Sequence, residues 1–291
     1  MATAQTRTVA RSRTLGPRNW AGRPGLPCEE GPCLSVEYSG REVQTALAFG
    51  EEILWSGPWE IEIRSNGRGV EPCSPWEEVC WLSDDGVCCL ELEGRFSEGI
   101  RVQRFLLSAW EERFVLLADA IFAPSAADLE YCARLPLGDS IRFAPAEESW
   151  EGFLRNRGRR ALVLPLGLPE WRASPAAGAL AETRIMQGHH LELRQAAHGR
   201  ALWAPMFIDL DAHRFRRQYT WRPLTVAENL RALPPDVAVG YRVLVGPRQW
   251  LIYRSLAARA NRSVLGHNLA TEMVVARFER KGQVEPIMEI E

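Results

Sequence analysis

The chain has 291 residues, 46% of them hydrophobic and 25% charged, and a formal charge of −2 at pH 7. This is a globular composition, and its balance excludes the concentrated basic face of a nucleic-acid binder. No run approaches the roughly 18 consecutive apolar residues of a membrane-crossing helix, so neither nucleic acid nor membrane is an expected partner.

Residues 1–27 carry Arg7, Arg11, Arg13, Arg18 and Arg23 with no acidic residue, among Thr, Ser, Gly and Pro. They predict a flexible basic tail, a composition shared with transit peptides, and no apolar segment marks a secretory signal. The expected location is cytoplasmic, and residues 28–291 are expected to fold as one domain. Lys281 is the single lysine, which GC-rich coding explains without a functional cause. The seven cysteines, Cys28, Cys33, Cys73, Cys80, Cys88, Cys89 and Cys132, form no CxxC pair and meet no histidine at zinc-ligand spacing. They are expected to be thiols, mostly buried, in a reducing compartment. Neither a metal nor a cofactor is expected.

From Cys33 onward the dominant period is two, the signature of strands. Trp59, Ile61 and Ile63 alternate with Glu60, Glu62 and Arg64 before the turn Ser65-Asn66-Gly67. Cys88, Leu90 and Leu92 alternate with Cys89, Glu91 and Glu93, and Ile100 and Val102 with Arg101 and Gln103. These predict half-buried strands with one wet face. Phe114–Phe122 and Ala161–Leu166 are continuously apolar, which predicts strands covered on both faces. Pro169–Gln187, rich in Ala and holding Pro175, predicts a long surface loop with one helical turn at most. Leu191 and Leu193 alternate with His190, Glu192 and Arg194 in a further half-buried strand. Trp221–Val226 predicts a strand, against a short helix opened by Thr225-x-x-Glu228 and stopped by Pro234-Pro235. Trp250–Tyr253 is again apolar throughout. Turn signals recur, at Asp84-Asp85-Gly86, Gly138-Asp139, Gly188, Gly199, Gly246-Pro247 and Lys281-Gly282. Together these predict an all-β fold: a large antiparallel two-sheet β-sandwich, supersandwich-like, with few short helices. Eleven tryptophans supply rigid apolar surface for such a core, or platforms for sugar rings.

The order from Trp76 to Ala123 carries a family likeness. It runs Trp76…Trp81-Leu82-Ser83-Asp84-Asp85, Cys89-Leu90-Glu91-Leu92-Glu93, Arg101-Val102-Gln103-Arg104, then Arg113-Phe114-Val115-Leu116-Leu117-Ala118-Asp119. This resembles the C-terminal β-sandwich of heparinase II/III-like polysaccharide lyases, where a basic strand precedes a strongly apolar strand ending in Asp. The resemblance implies a sandwich fold and a carbohydrate context. The family's helical toroid, which holds much of its catalytic machinery, is not matched, so the resemblance assigns no catalytic residue here.

Asp209-x-Asp211-x-His213 puts two carboxylates and an imidazole on one face of a continuing strand, which suits a divalent metal or an acid/base set. The same residues suit a plain wet face whose acids pair with Arg214, Arg216 and Arg217. His189-His190 after Gly188 and His267-Asn268 after Gly266 place further imidazoles beside turns. A second cluster gathers Trp221, Arg222, Glu228, Asn229, Tyr241, Arg242, Gln249, Trp250, Tyr253 and Arg254. It mixes aromatic platforms with planar polar groups, as sugar recognition does; the competing expectation is an aromatic core flanked by arginines. GxGxxG after a strand, the Walker loop, HExxH and GxSxG are all missing. The leading expectation is a non-catalytic β-sandwich that binds an oligo- or polysaccharide or a protein partner. The alternative is a stand-alone sugar-active enzyme, an epimerase or lyase, with His213 or His190 as base and Asp209 or Glu228 as partner. A third is a structural protein that docks through its arginine tail.

Overall fold

The structure is a computed structural model and describes residues 11–16, 28–50, 52–186, 188–279 and 283–291. Arg7, Arg18, Arg23 and the Lys281-Gly282 turn lie outside these residues, as does the side chain of Cys28. Among the described residues the strands form four sheets with antiparallel pairing throughout. The all-β class is as expected; the two expected sheets are four.

Sheet 1 is a meander of β1 (Ser12–Leu15), β2 (Cys28–Glu37), β3 (Gln44–Gly50) and β4 (Glu52–Pro58). Alternation buries Leu34 and Val36 from β2 and Thr45 and Leu47 from β3. The Trp55 indole donates to Thr45 Oγ1 at 3.2 Å, so these two buried polar groups satisfy each other. β1 lies within the segment expected to be a flexible tail. Arg13 fixes it, with hydrogen bonds of 2.7 and 2.9 Å to the two oxygens of Glu78 and its guanidinium 4.7 Å over the Trp81 ring. Tyr38 donates to the same carboxylate. The Arg13 hydrogen bonds hold the Glu78 carboxyl below its ordinary range. A bidentate acid distant in sequence thus orders a residue that composition alone assigns to solvent.

Sheet 2 begins with β5 (Glu60–Ser65), β6 (Arg68–Val70), β7 (Glu77–Asp84), β8 (Val87–Arg95), β9 (Arg101–Ala109) and β10 (Phe114–Pro136). It continues with β11 (Arg142–Pro145), β12 (Gly152–Arg155), β13 (Arg159–Pro165), β14 (Gly178–Ile185) and β15 (Gly188–Asp209). The main order is β11-β12-β13-β15-β10-β9-β8-β7, with β14 beside β15 and β5 beside β10. β10 and β15 are 23 and 22 residues long and pair along their length, with a register shift between Phe122 and Ala127. Pro124, which has no N–H for a ladder, sits in that shift. Before it β10 is flanked by β9, and after it by β5. Burial changes at the same place. Phe114–Ile121 is buried throughout, whereas buried and open residues alternate from Ala127 onward.

The remaining strands are β16 (Tyr219–Leu224), β17 (Val226–Glu228), β18 (Arg231–Ala232), β19 (Ala238–Val245) and β20 (Arg248–Ser255). After them come β21 (Arg262–Val264), β22 (His267–Leu269), β23 (Met273–Phe278) and β24 (Val284–Ile290). Sheet 3 has the order β16-β19-β20-β23-β24 and sheet 4 the order β18-β17-β21-β22.

Three apolar cores separate the layers. Leu34, Leu47 and Trp55 of sheet 1 meet Leu90, Leu106 and Leu117 of sheet 2. The opposite face of sheet 2, with Cys89, Leu107, Phe114 and Phe207, meets Val243 and Trp250 of sheet 3. Leu251 and Tyr253 of sheet 3 then meet Val226 and Val264 of sheet 4. Successive residues of a strand point to opposite faces, so Cys89 and Leu90 enter different cores. β8 is therefore covered on both faces rather than half-buried as expected, and Glu91 is accommodated by Arg254 at 2.6 Å. His190 and Glu192, expected on a wet face, are also buried.

Two further expectations are corrected. Part of the Pro169–Gln187 segment, expected as a loop, is β14, whose Gly- and Ala-rich residues pair with β15 from Gly178 to Ile185. Backbone pairing with a long neighbour overrides weak strand propensity there. Thr225–Glu228 contains β17 and no helix. The helical element among the described residues is a 3-10 turn at Ser97–Gly99.

Candidate ligand-binding site

Sheet 3 covers the first half of β10 and leaves one face of the second half open. There the register sets Glu62, Cys132 and Arg194 in one row, with Arg64, Glu130 and Ala196 beside it. Glu60, Arg134 and Glu192 form the next row on the other side. Glu62, Arg64, Glu130, Cys132, Arg134 and Arg194 line a concavity of about 400 Å³. Arg134 donates to Glu192 at 2.7 Å and lies 3.6 Å from Glu62, and Arg194 reaches the other Glu192 oxygen at 2.8 Å. Burial pushes the Glu192 carboxyl up, but the Arg134 hydrogen bond and the Arg194 charge outweigh it and hold the group below its ordinary range. Burial raises the Cys132 thiol to about 11, so at neutral pH it is a packing group and not a nucleophile.

The start of β5 borders a second recess of about 350 Å³. Trp59, Trp76 and Phe96 wall it, Arg104 lies at its base, and Arg41, Glu42 and Glu71 stand at its rim. Arg104 is 1% exposed and pairs with the fully buried Asp119 through two hydrogen bonds of 2.9 Å. Its third donor contact is the Trp59 carbonyl at 2.8 Å. The guanidinium also lies 3.9 Å from the Trp59 ring and 4.9 Å from the Trp76 ring. Tyr131 donates to the second Asp119 oxygen at 2.8 Å. A buried ion pair is tolerated only when such additional partners satisfy it, and here they hold both indole rings as well. Arg134 lines both concavities. Both therefore border one side chain near the start of β5, and together they are the candidate groove.

Trp76, Arg104 and Asp119 are among the residues that carry the heparinase-like likeness, and the fold brings them together. A signal for them was present in the sequence. Ile100, Val102, Arg104 and Leu106 share one strand face, so Arg104 is a charge on an apolar side, and Asp119 interrupts an apolar run.

The residues proposed from sequence are dispersed. Strand β15 ends at Asp209, so Asp209, Asp211 and His213 do not share a strand face. Asp209 accepts from the Asp211 N–H at 2.7 Å, and Asp211 from the His213 N–H at 3.1 Å. These side-chain bonds to the backbone two residues on turn the chain instead. Asp209 is buried against Arg214 at 3.0 Å, Asp211 is 3.5 Å from the same arginine, and His213 is exposed. Burial raises Asp209 to about 6 despite Arg214. His190 is buried, with Nδ1 3.2 Å from the Gly188 carbonyl, and Glu228 pairs with Arg262 at 3.3 Å. Among the described residues, no three His, Cys, Asp or Glu groups are placed to hold a metal ion.

Trp221, Tyr241 and Trp250 belong to the core between sheets 2 and 3. Arg254 is buried with them, bound to Glu91, Gln103 and Glu272 at 2.6, 2.6 and 3.0 Å. Arg222 and Arg242 are exposed and Gln249 is half-buried on the other face of sheet 3, with Arg242 donating to Gln249 at 3.0 Å. Asn229 is at the exposed tip of the β17–β18 hairpin. The aromatic and polar members thus occupy different faces. Tyr241 also touches an apolar cleft of about 600 Å³ between sheets 2, 3 and 4.

Stacked antiparallel sheets built on two long paired strands with a register shift define a large β-sandwich protein. Solved structures share this architecture. A heparan sulfate lyase HepC mutant from Pedobacter heparinus superposes with a TM-score of 0.50 at 9% identity, covering 79% of this chain and 40% of that one. The heparinase III-BT4657 gene product gives 0.50 at 7% identity, covering 78% and 41%. A further heparinase III structure gives 0.50 at 6% identity, covering 77% and 40%. The likeness is one of fold, and the chain spans about two fifths of the length of those structures. No family model matches the sequence, and no curated protein matches it. No helix among the described residues is long and apolar enough to cross a membrane.

Proposed function

We propose that the chain is a non-catalytic β-sandwich protein that binds an oligo- or polysaccharide in the groove around the start of β5. The observation that carries this reading is the meeting, at Arg134, of a tryptophan-walled recess with a face of paired arginines and glutamates. Guanidinium and carboxylate groups such as Arg134, Arg194 and Glu62 bond sugar hydroxyls, while Trp59 and Trp76, buried beneath them, hold Arg104 in place. The ion pairs already fix Arg134 and Arg194, so less side-chain entropy is lost on binding. Five arginines and five glutamates line the two concavities, so the groove is formally neutral and suits a hydroxyl-rich chain. The polysaccharide context also draws on the fold likeness to heparan sulfate lyase and heparinase III. A cytoplasmic location belongs to the same proposal and is supported by the thiols of Cys80, Cys89 and Cys132. The enzyme reading has less support, since His190 and His213, its candidate bases, line neither of these two concavities.

Calorimetric titration with neutral and uronate-containing polysaccharides tests the proposal. The intact chain binds at least one, and Arg134→Ala weakens binding about tenfold or more, or ~1.4 kcal/mol, with an unchanged circular dichroism spectrum. A blank across the whole panel, or an Arg134→Ala protein that binds as well as the parent, overturns it.

A further inference from the structure

β7 and β8 form a hairpin in which Cys80 faces Glu91 and Leu82 faces Cys89, with a register irregularity between Glu78 and Cys80. Residues paired across a ladder point to the same side, as do residues two apart on one strand. Cys80 and Cys89 are therefore diagonal neighbours on one face, and their thiols share a hydrogen bond. Both are reduced; Cys80 is half-buried and Cys89 fully buried. β7 is the terminal strand of the main sheet order, held on that path by β8 alone.

We propose that Cys80 and Cys89 are a redox-active dithiol that a hydroperoxide converts to a reversible disulfide, with Cys80 attacking and Cys89 resolving. The two sulfurs are prepared unequally. The Cys89 S–H donates to Cys80, which favours the Cys80 thiolate; partial burial and the nearby charges of Glu91 and Glu272 oppose it, and that of Arg254 favours it. The net direction for Cys80 is downward, and the same hydrogen bond together with burial drives Cys89 upward. The half-exposed sulfur is thus the nucleophile.

In the first step the Cys80 thiolate attacks one peroxide oxygen. The O–O bond breaks, Cys80 becomes a sulfenic acid, and the other oxygen leaves as water or an alcohol after taking up a proton. In the second, the Cys89 sulfur attacks the Cys80 sulfur, the S–O bond breaks, and the hydroxyl leaves as water with the Cys89 proton. Two thiols and one hydroperoxide thus yield a disulfide, one water and the reduced peroxide. A small-molecule thiol reverses it by exchange. Diagonal cross-strand positions lie roughly 7–8 Å apart, wider than the spacing of about 5.5–6 Å that disulfides prefer. Bond formation must draw β7 inward at its irregularity, which makes the bond easily reduced.

The test treats the full chain with one equivalent of hydrogen peroxide and maps its cysteines by mass spectrometry without reductant. The expected product has lost two hydrogens, links Cys80 to Cys89, and reverts with dithiothreitol. Cys80→Ser abolishes the link and leaves Cys89 unmodified. Cys89→Ala leaves Cys80 as a sulfenic acid that dimedone captures, and Cys132→Ser changes nothing. The proposal is overturned by Cys80 sulfinic acid without a link in the parent chain, by oxidation confined to the exposed Cys73, or by Cys89 oxidation that survives Cys80→Ser.

Discussion

The two halves of β10 are one strand in two environments. From Phe114 to Ile121 sheet 1 lies on one side and sheet 3 on the other, and every residue is buried. From Ala127 to Pro136 sheet 1 still covers one side, but Glu130, Cys132 and Arg134 face a concavity. Secondary structure is the same in both; only the number of covering layers differs. That number decides which residue types each half holds, and it places the groove at the point where the second cover ends. The doubly covered half can accept a charge only when the charge is fully partnered. The open half carries a row of charges whose ion pairs are short but partly solvated on the arginine side.

The comparison can be broken most severely at Arg104. Replacement by Ala strands Asp119 without its ion-pair partner, and should cost about 3–5 kcal/mol in urea unfolding. A loss below about 1 kcal/mol would falsify the view that this pair is fully desolvated. Leu116, packed in the core between sheets 2 and 3, comes next. Leu116→Ala should cost about 2–5 kcal/mol from lost transfer energy and a residual cavity.

Asp209, paired with Phe114 at the far end of the covered half, sharpens the comparison through pH. Burial raises its carboxyl from 3.8 to about 6 in the folded state. Its folded value exceeds its unfolded one, so its stabilisation is complete below pH ~4 and is lost as pH rises through about 6. The loss is on the order of 2–3 kcal/mol. Asp209→Asn should remove that portion of the decline in urea midpoints between pH 4 and 7; equal slopes in the two proteins would contradict it. The smallest effect belongs to the open half. Glu130→Ala should change stability by about 0.5 kcal/mol or less, and a larger loss would mean that the face is covered in solution.

Much of this fold was readable because its period is physical. Alternating burial writes itself into residues such as Trp59 to Arg64, and double burial into Phe114–Phe122. β14 was not readable, because its residues are small and its order comes from β15. Nor was β1, since Arg13 looks solvated until Glu78 is brought beside it. At the candidate site the aromatic cluster around Trp250 was misleading for a related reason. Trp221, Tyr241 and Trp250 read equally as platforms and as core, and sheet 2 covers them. Arg104 and Asp119 were more telling, since a charge at an apolar strand position must find a buried partner.

The amino-acid sequence by itself determined that this chain is built of antiparallel strands, which faces of most strands turn inward, and that some strands must be covered twice. Those properties follow from local alternation, which each residue expresses without knowledge of distant ones. Only the tertiary structure decided that the described strands form four sheets and that sheet 3 covers just the first half of β10. It also decided that Arg134 joins a tryptophan recess to a charged face. Each of these depends on which distant surface meets which, and a strand's own pattern records that it is covered, not by what.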